Sequence, residues 1–249
     1  MTGVVTTNRS QLHQWALELA DDYVPDGWER VSSSPHTRVA YHATLALYYK
    51  EFFARSPAEN AKARFRGSRA QRATRNAAAL LYVGIDAPRT LYSGRLPSGS
   101  EYLYSLAAPG ESIKHWLRKT ADTRDTVFIR RQLLSEFGRF IGRLHATGFV
   151  HGDLRPGNVL AEHRGSGFHF TLLDNERNQQ LHPPPGRALL KNLMQLNMLP
   201  TSVLSKSDRL RFFKAWHTQM RELTHVEAGV IASEALRWAL DRMVDKTSY

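Results

Sequence analysis

Hydrophobic positions recur along this chain with two different periods, and the change from one to the other divides it. Residues 11–23 place Leu12, Trp15, Ala16 and Leu19 at helical spacing and end in the turn Pro25-Asp26-Gly27, which predicts a short amphipathic helix. Trp28–Val31, Arg38–Thr44 and Leu45–Phe53 then carry the β-branched and aromatic residues of strands, broken by Ser32-Ser33-Ser34-Pro35. From Pro57 to Leu81 the pattern is helical, alanine-rich and basic. Pro88–Tyr92 and Tyr102–Leu106 read as two more strands around the turn Pro97-Ser98-Gly99. After the hinge-like Ala107-Ala108-Pro109-Gly110 comes a short helix near Ser112–Arg118. A long helix follows from about Thr126 to Thr147, with Ile129, Leu133, Phe137, Phe140, Ile141 and Leu144 on one face and Gly148 as its stop. Two short strands, Val159–Ala161 and Phe168–Leu173, precede a helical remainder from Gly186 to about Asp245. The predicted class is α+β: a single domain over 1–249, with a small β-rich N-lobe to residue 106 and a helical C-lobe from 107 to 249.

Composition narrows the function classes. A chain of 249 residues with 42% hydrophobic positions can bury a large core and needs no metal or disulfide to fold. It contains no cysteine, which excludes disulfides, thiolate zinc sites, iron–sulfur clusters and a cysteine nucleophile. Lys and Arg number 34 against 23 Asp and Glu, a net charge of +11 that predicts an anionic partner. The N-terminus lacks the pattern of a signal peptide, and the longest apolar run, Ala77–Ile85, is about half of what spans a bilayer. The expected location is the cytoplasm, with any membrane attachment peripheral.

The most informative stretch is His151-Gly152-Asp153-Leu154-Arg155-Pro156-Gly157-Asn158-Val159-Leu160, and a second acid, Asp174, ends the next apolar strand 21 positions after Asp153. A returning strand of that length brings both carboxylates and Asn158 to one end of a sheet. Phosphoryl transfer needs this set of groups. One carboxylate orients or deprotonates the attacking hydroxyl, and oxygen ligands hold Mg²⁺ on the nucleotide phosphates. Asp153 suits the first role, and Asn158 with Asp174 the second. A cation for the α- and β-phosphates must come from the N-lobe, and Lys50 is the only lysine among the first 61 residues.

The loop resembles the catalytic loop H-x-D-x-x-x-x-N of the protein-kinase-like superfamily, with His151, Asp153 and Asn158 in the matching places. Its nearer resemblance is to the bacterial lipopolysaccharide core kinases, the Kdo kinases and heptose kinases. Leu173-Asp174-Asn175-Glu176-Arg177 is similar to that family's D-x-x-R, where protein kinases have D-F-G. Gly84-Ile85-Asp86-Ala87-Pro88 looks like its G-I-x-x-P entry into strand four. Arg187–Asn197 followed by Asp208-Arg209-Leu210-Arg211-Phe212 is similar to its C-lobe helices.

The resemblance implies a protein-kinase-like bilobal fold that uses ATP and Mg²⁺ to phosphorylate a heptose or Kdo hydroxyl of the lipopolysaccharide inner core. It implies that His151 braces the loop and that Ala107 and Ala108 present hinge backbone to adenine. Arg155 stands where protein kinases carry a lysine on the γ-phosphate. In place of a G-x-G-x-x-G loop the chain has Ser33 and Ser34, whose hydroxyls and N–H groups are the candidates for phosphate contact. The acids between Lys50 and Leu91 are Glu51, Glu59 and Asp86, so Glu59 is the candidate partner of Lys50, Glu51 pointing to the opposite face.

Seven cations, Arg55, Lys62, Arg64, Arg66, Arg69, Arg72 and Arg75, with the one acid Glu59, form a basic stretch read either as a solvated face or as a dock for an anionic membrane surface on the inner face of the inner membrane. Nucleic acid is not expected, since only Phe65 is interleaved for stacking. Three alternatives stay open. An aminoglycoside-type phosphotransferase has a similar H-G-D loop but takes cationic acceptors, which the net charge argues against. An atypical protein kinase would carry an A-P-E segment, where this chain has Pro183-Pro184-Pro185. An inactive kinase-like binding module is the third. Oligomeric state is not legible.

Overall fold

The computed structural model describes residues 8–53, 67–121, 126–181 and 186–247. They fall into two compact units, Met1–Tyr82 with Ala87–Ala108, and Val83–Asp86 with Pro109–Tyr249.

The first unit is built on a five-stranded antiparallel sheet in the order β1-β2-β3-β5-β4, from β1 (Trp28–Val31), β2 (Thr37–His42), β3 (Leu47–Phe52), β4 (Thr90–Arg95) and β5 (Glu101–Leu106). The alternation of side chains sends Tyr49, Tyr102 and Tyr104 to one face and Lys50, Phe52 and Leu103 to the other. Helix α1 (Arg9–Ala20) covers the first face, burying Leu12, Ala16 and Leu19. The tyrosines are wholly buried yet satisfied by α1: Tyr104 donates to the Leu12 carbonyl at 2.9 Å and Tyr102 meets His13 Nδ1 at 2.7 Å. Burial pushes all three hydroxyls far up from their ordinary pKa. Arg30 and Arg38 donate to the Leu19 and Ala20 carbonyls at 2.7 and 2.6 Å, so the last turn of α1 is closed by side chains from the sheet.

Helix α2 (Arg69–Tyr82) packs on the second face through Ala70. Four of the seven cations predicted for the basic stretch, together with Glu59, lie outside the described residues. Of the other three, Arg69 stacks on Phe52 and reaches the His36 carbonyl, and Arg72 donates to the Gly67 carbonyl at 2.6 Å. Only Arg75 is exposed, so this part of the stretch is not a solvated row. Arginine stems pack as apolar matter, which a charge count does not reveal.

The second unit contains β6 (Glu111–Ser112), α3 (Ile113–Lys119), α4 (Val127–Ala146), β7 (Phe149–Val150), β8 (Val159–Arg164), β9 (Gly167–Leu172), β10 (Gln179–Gln180), α5 (Gly186–Asn197), α6 (Lys206–His217) and α7 (His225–Thr247). The sequence predicts the helices and the β8–β9 hairpin. It misses β6, β7 and β10, two-residue pairings too short to show a period. The predicted helical remainder is three helices. The linker Val83–Asp86 joins this unit: the Asp86 carbonyl accepts from Leu172 N at 2.8 Å, and its carboxylate pairs with His169 at 2.5 Å.

The core of this unit is the contact of α4 with α6. Gly138 and Gly142, one turn apart on α4, lie against α6, and a Cβ at Gly138 would fall 2.3 Å from the Phe212 carbonyl oxygen. Beside them, buried Arg130 donates Nε and Nη2 to Asp208 at 3.1 and 2.8 Å, while Ser205 and Asp208 form a capping box at the start of α6. Burial alone would raise the Asp208 pKa, but the hydrogen bonds from Arg130 and Ser205 hold it below its ordinary value. His145 is fully buried at the end of α4. Its Nδ1 accepts from Trp216 Nε1 of α6 at 3.0 Å, and burial pushes its pKa down to about 4.

Stability outcomes follow for glycine variants first and for acid second. Gly138→Val should destabilise by about 1–3 kcal/mol or more, because the Cβ meets backbone rather than a movable side chain. Gly229→Ala in α7, with open space around it, should stabilise by about 0.5–1 kcal/mol. Denaturant unfolding reads both, and a neutral Gly138→Val would contradict the close helix contact. The second outcome concerns acid. An unfolded imidazole binds a proton near pH 6.5, while folded His145 stays neutral to about pH 4. The unfolded chain therefore takes up the extra proton in that window. The contribution of His145 is complete above pH 6.5 and falls by about 3 kcal/mol as pH drops toward 4. Thermal unfolding from pH 7 to 4 should show a flatter decline in His145→Gln than in the parent chain.

Candidate active site

In the second unit, β7 runs directly into His151 and β10 returns from Asp174 to pair with it antiparallel, so the two segments that hold the predicted residues are closed by one strand pair. The hairpin β8–β9 sets the rest. Val159 pairs with Leu172, which places Asn158 and Leu173 opposite each other, and Leu173 N donates to the Asn158 carbonyl at 2.8 Å. The Leu173 carbonyl accepts from His151 Nε2 at 2.8 Å. His151 Nδ1 accepts from Asp153 N at 3.0 Å, so the ring is the neutral Nε2–H tautomer. Burial lowers the His151 pKa, against the raising influence of the Leu173 hydrogen bond and of Asp174 and Asp153. A neutral, buried imidazole thus ties the start of the loop to the residue before Asp174.

The carboxamide of Asn158 is oriented by its donor. Its Nδ2 donates to the Asp153 carbonyl at 2.8 Å, which leaves Oδ1 as the acceptor end of the amide. Asp174 is exposed and sits in the left-handed region at φ 59°, where few residues other than glycine, Asn and Asp are tolerated. Such backbone strain collects at functional sites. Gly152 is required by space rather than by φ: a Cβ there would lie 2.1 Å from the Cβ of Arg177. The segment Asp174–Arg177 therefore packs directly on the loop. Asp153 Oδ1 accepts from Arg155 Nε at 2.8 Å.

Helix α5 supplies two residues that the loop motif does not reveal. Asn192 straddles the backbone of His151, accepting from its N–H at 2.9 Å and donating to its carbonyl at 2.6 Å. His145 Nε2 meets the same Asn192 oxygen at 3.2 Å, so the chain Trp216–His145–Asn192–His151–Leu173 is continuous from α6 to the end of β9. Gln195, one turn on, accepts from Leu154 N at 3.0 Å and donates to Asp153 Oδ1 at 3.1 Å. Both are buried with Leu189, Leu193 and Leu196. A polar pair on the apolar face of a predicted helix is the signal that finds them.

In the first unit, Lys50 lies in β3 between Val39 of β2 and Leu103 of β5, on the α2 face, with its ammonium 5.1 Å from the Phe52 ring centre. Glu51 lies on the opposite face, buried against Arg38 and Tyr49. The described α2 carries no acid. The hydroxyls of Ser33 and Ser34 bond within their own turn, to the Thr37 carbonyl at 2.7 Å and to Thr37 Oγ1 at 2.9 Å. Ala107 donates its N–H to the Ala46 carbonyl at 2.7 Å, and Ala108 is the last residue before Pro109.

The donor set fits a hard cation. Among the described residues, no group of three or more His, Asp or Glu is placed to hold a metal by itself. Asn158 Oδ1 and the Asp174 carboxylate are oxygen groups of the kind that suits Mg²⁺, which keeps water and phosphate oxygens as its other ligands.

Comparison with known proteins agrees with this architecture. The structure of WaaP in complex with acyl carrier protein is similar with a TM-score of 0.61 at 17% identity, over 95% of this chain and 98% of that one. WbdD, solved with a kinase inhibitor, is similar with a TM-score of 0.50 at 20% identity, over 84% of this chain and 45% of that one. These likenesses establish a protein-kinase-like fold. The EKC/KEOPS complex subunit bud32 of Dictyostelium discoideum is 31% identical over 62 residues, 25% of this chain and 25% of that protein, so the chain spans about a quarter of that relative's length. The sequence profile of the lipopolysaccharide kinase (Kdo/WaaP) family matches residues 17–216. Matched over most of its length, and with the loop and the acid after β9 described above, the chain belongs to that family of phosphotransferases.

Proposed function

We propose that this chain transfers the γ-phosphoryl group of ATP, with Mg²⁺, to a heptose or Kdo hydroxyl of the lipopolysaccharide inner core. The observation that carries the reading is the double tie at Leu173, which holds Asn158 and Asp174 at one end of β8–β9 beside Asp153. Asp153 takes the proton of the sugar hydroxyl as its oxygen bonds to the γ-phosphorus and the bond to the β–γ bridging oxygen breaks, releasing ADP. Asn158 and Asp174 hold Mg²⁺, which when bound neutralises charge on the phosphates. His151 keeps the loop in register, and Arg155, largely exposed and anchored to Asp153, faces the γ-phosphate.

Lys50 carries the cation for the α- and β-phosphates. In the turn before β2, the N–H groups of Ser33 and Ser34 make the phosphate contact, since the hydroxyls bond to Thr37. Adenine is read by the carbonyl of Ala107 and the backbone of Ala108. The net charge of +11 supports an anionic acceptor, and no helix among the described residues is long and apolar enough to cross a membrane. The acceptor is therefore met by electrostatic attraction to an anionic membrane surface.

Asp153→Asn should keep the fold and lower turnover by about 10²–10⁴-fold, the usual worth of general-base assistance. A variant that retains more than a tenth of turnover with purified inner-core lipopolysaccharide would remove Asp153 from that role. Asp174→Ala should weaken Mg-ATP binding more than Asn158→Ala, because a carboxylate supplies charge as well as an oxygen. Calorimetric titration ranks the two, and equal losses would contradict the metal assignment.

A further inference from the structure

The structure assigns Gln195 of α5 as a positioning residue that decides which oxygen of Asp153 takes the proton; this inference rests on the reading of Asp153 as the base. The side-chain amide has no freedom in its orientation. Leu154 N–H can only donate, so Gln195 Oε1 must face it at 3.0 Å, and Nε2–H must face Asp153 Oδ1 at 3.1 Å. Arg155 Nε donates to the same oxygen at 2.8 Å. Two donors on Oδ1 stop rotation of the carboxylate, and Oδ2 has no hydrogen-bond partner among the described residues. Oδ2 is the oxygen left to accept a proton.

The two donors differ in rigidity. Arg155 is mostly exposed, with 62% of its side chain open to solvent, and can move with the loop. Gln195 is buried in a helix whose neighbouring turn, through Asn192, grips the His151 backbone. The fixed reference for the carboxylate is therefore Gln195. Nothing in the H-x-D-x-x-x-x-N loop encodes it, since it lies 42 positions further on.

The charged groups around Asp153 are few. Arg155 shares its loop, Asp174 ends β9, and Arg177 packs on Gly152; His151 is buried and neutral, and α5 reaches the loop with the amides of Asn192 and Gln195. Removing the Gln195 donor leaves Oδ1 held by Arg155 alone, so the carboxylate is free to turn. Replacing it by a second carboxylate puts a like charge at the Oδ1 contact and pushes the Asp153 side chain out of its fixed orientation.

The test compares Gln195→Leu, Gln195→Glu and Asp153→Asn with the parent enzyme, using Mg-ATP and purified inner-core lipopolysaccharide. Gln195→Glu keeps an acceptor for Leu154 N, so it preserves the backbone brace while inverting the contact with Asp153. Unfolding midpoints identify any variant that fails to fold, and Gln195→Met replaces Gln195→Leu if that one does. In Gln195→Leu, kcat should fall about 10- to 100-fold with both KM values within about threefold. In Gln195→Glu, kcat should fall further than in Gln195→Leu with KM again little changed, because the contact at Asp153 Oδ1 turns from attraction to repulsion. Unchanged kcat in both, with Asp153→Asn inactive, would overturn the role of Gln195 and leave Asp153 as the base. Substantial turnover by Asp153→Asn would overturn both.

Discussion

The hydrogen bonds of one neutral histidine hold the candidate site together. His151 donates to the carbonyl of Leu173 and accepts from the amide of Asp153, so a single ring fixes the distance between the loop and the acid after β9. Each partner is backbone, so its direction is set by chain path rather than by a rotamer. The arrangement works only while the ring is neutral, since a protonated imidazole could no longer accept from Asp153 N. Burial enforces that state. The second histidine, His145, repeats the logic one layer deeper, between Trp216 and Asn192. A run of polar groups thus crosses an apolar core without leaving its members unsatisfied, the condition under which such networks rigidify a site.

That run depends in turn on how closely α4 and α6 approach. Gly138 and Gly142 let the α6 backbone come within reach, which brings Trp216 to His145. A larger residue on either glycine would move the indole and loosen the hold on Asn192. Helix packing, which looks remote from the chemistry, is therefore part of what places Asp153. In the first unit the same economy appears in another form, where tyrosine hydroxyls from the sheet reach the carbonyl of Leu12 and the ring of His13 on α1.

What the sequence makes legible follows from distance along the chain. His151, Asp153, Asn158 and Asp174 lie within one loop and one hairpin, so spacing alone puts them at the same end of a sheet. The α+β class is legible by the change of period. Asn192 and Gln195 are legible only as a polar pair set among Leu189, Leu193 and Leu196 on a predicted helix; their partners lie about 41 positions earlier, so spacing does not reveal what they hold. The left-handed backbone of Asp174 has no sequence signature either, since Asp is common in ordinary conformations as well. The basic stretch misleads for the opposite reason. Charge is easy to count, but Arg69 sets its guanidinium over Phe52 and Arg72 donates to the Gly67 carbonyl, and only the partners and the exposure separate such uses from a solvated face.

The chain belongs to the lipopolysaccharide kinase (Kdo/WaaP) family, and the proposed acceptor is a heptose or Kdo hydroxyl of the inner core. Incubation of the protein with ATP, Mg²⁺ and purified inner-core lipopolysaccharide, followed by phosphorus NMR of the released oligosaccharide, tests it most directly. The account predicts a new phosphomonoester on a heptose or Kdo hydroxyl, formed in proportion to ADP. ADP released with free phosphate only, or no consumption of ATP with inner-core lipopolysaccharide while an aminoglycoside or protein acceptor is phosphorylated from ATP, would contradict it.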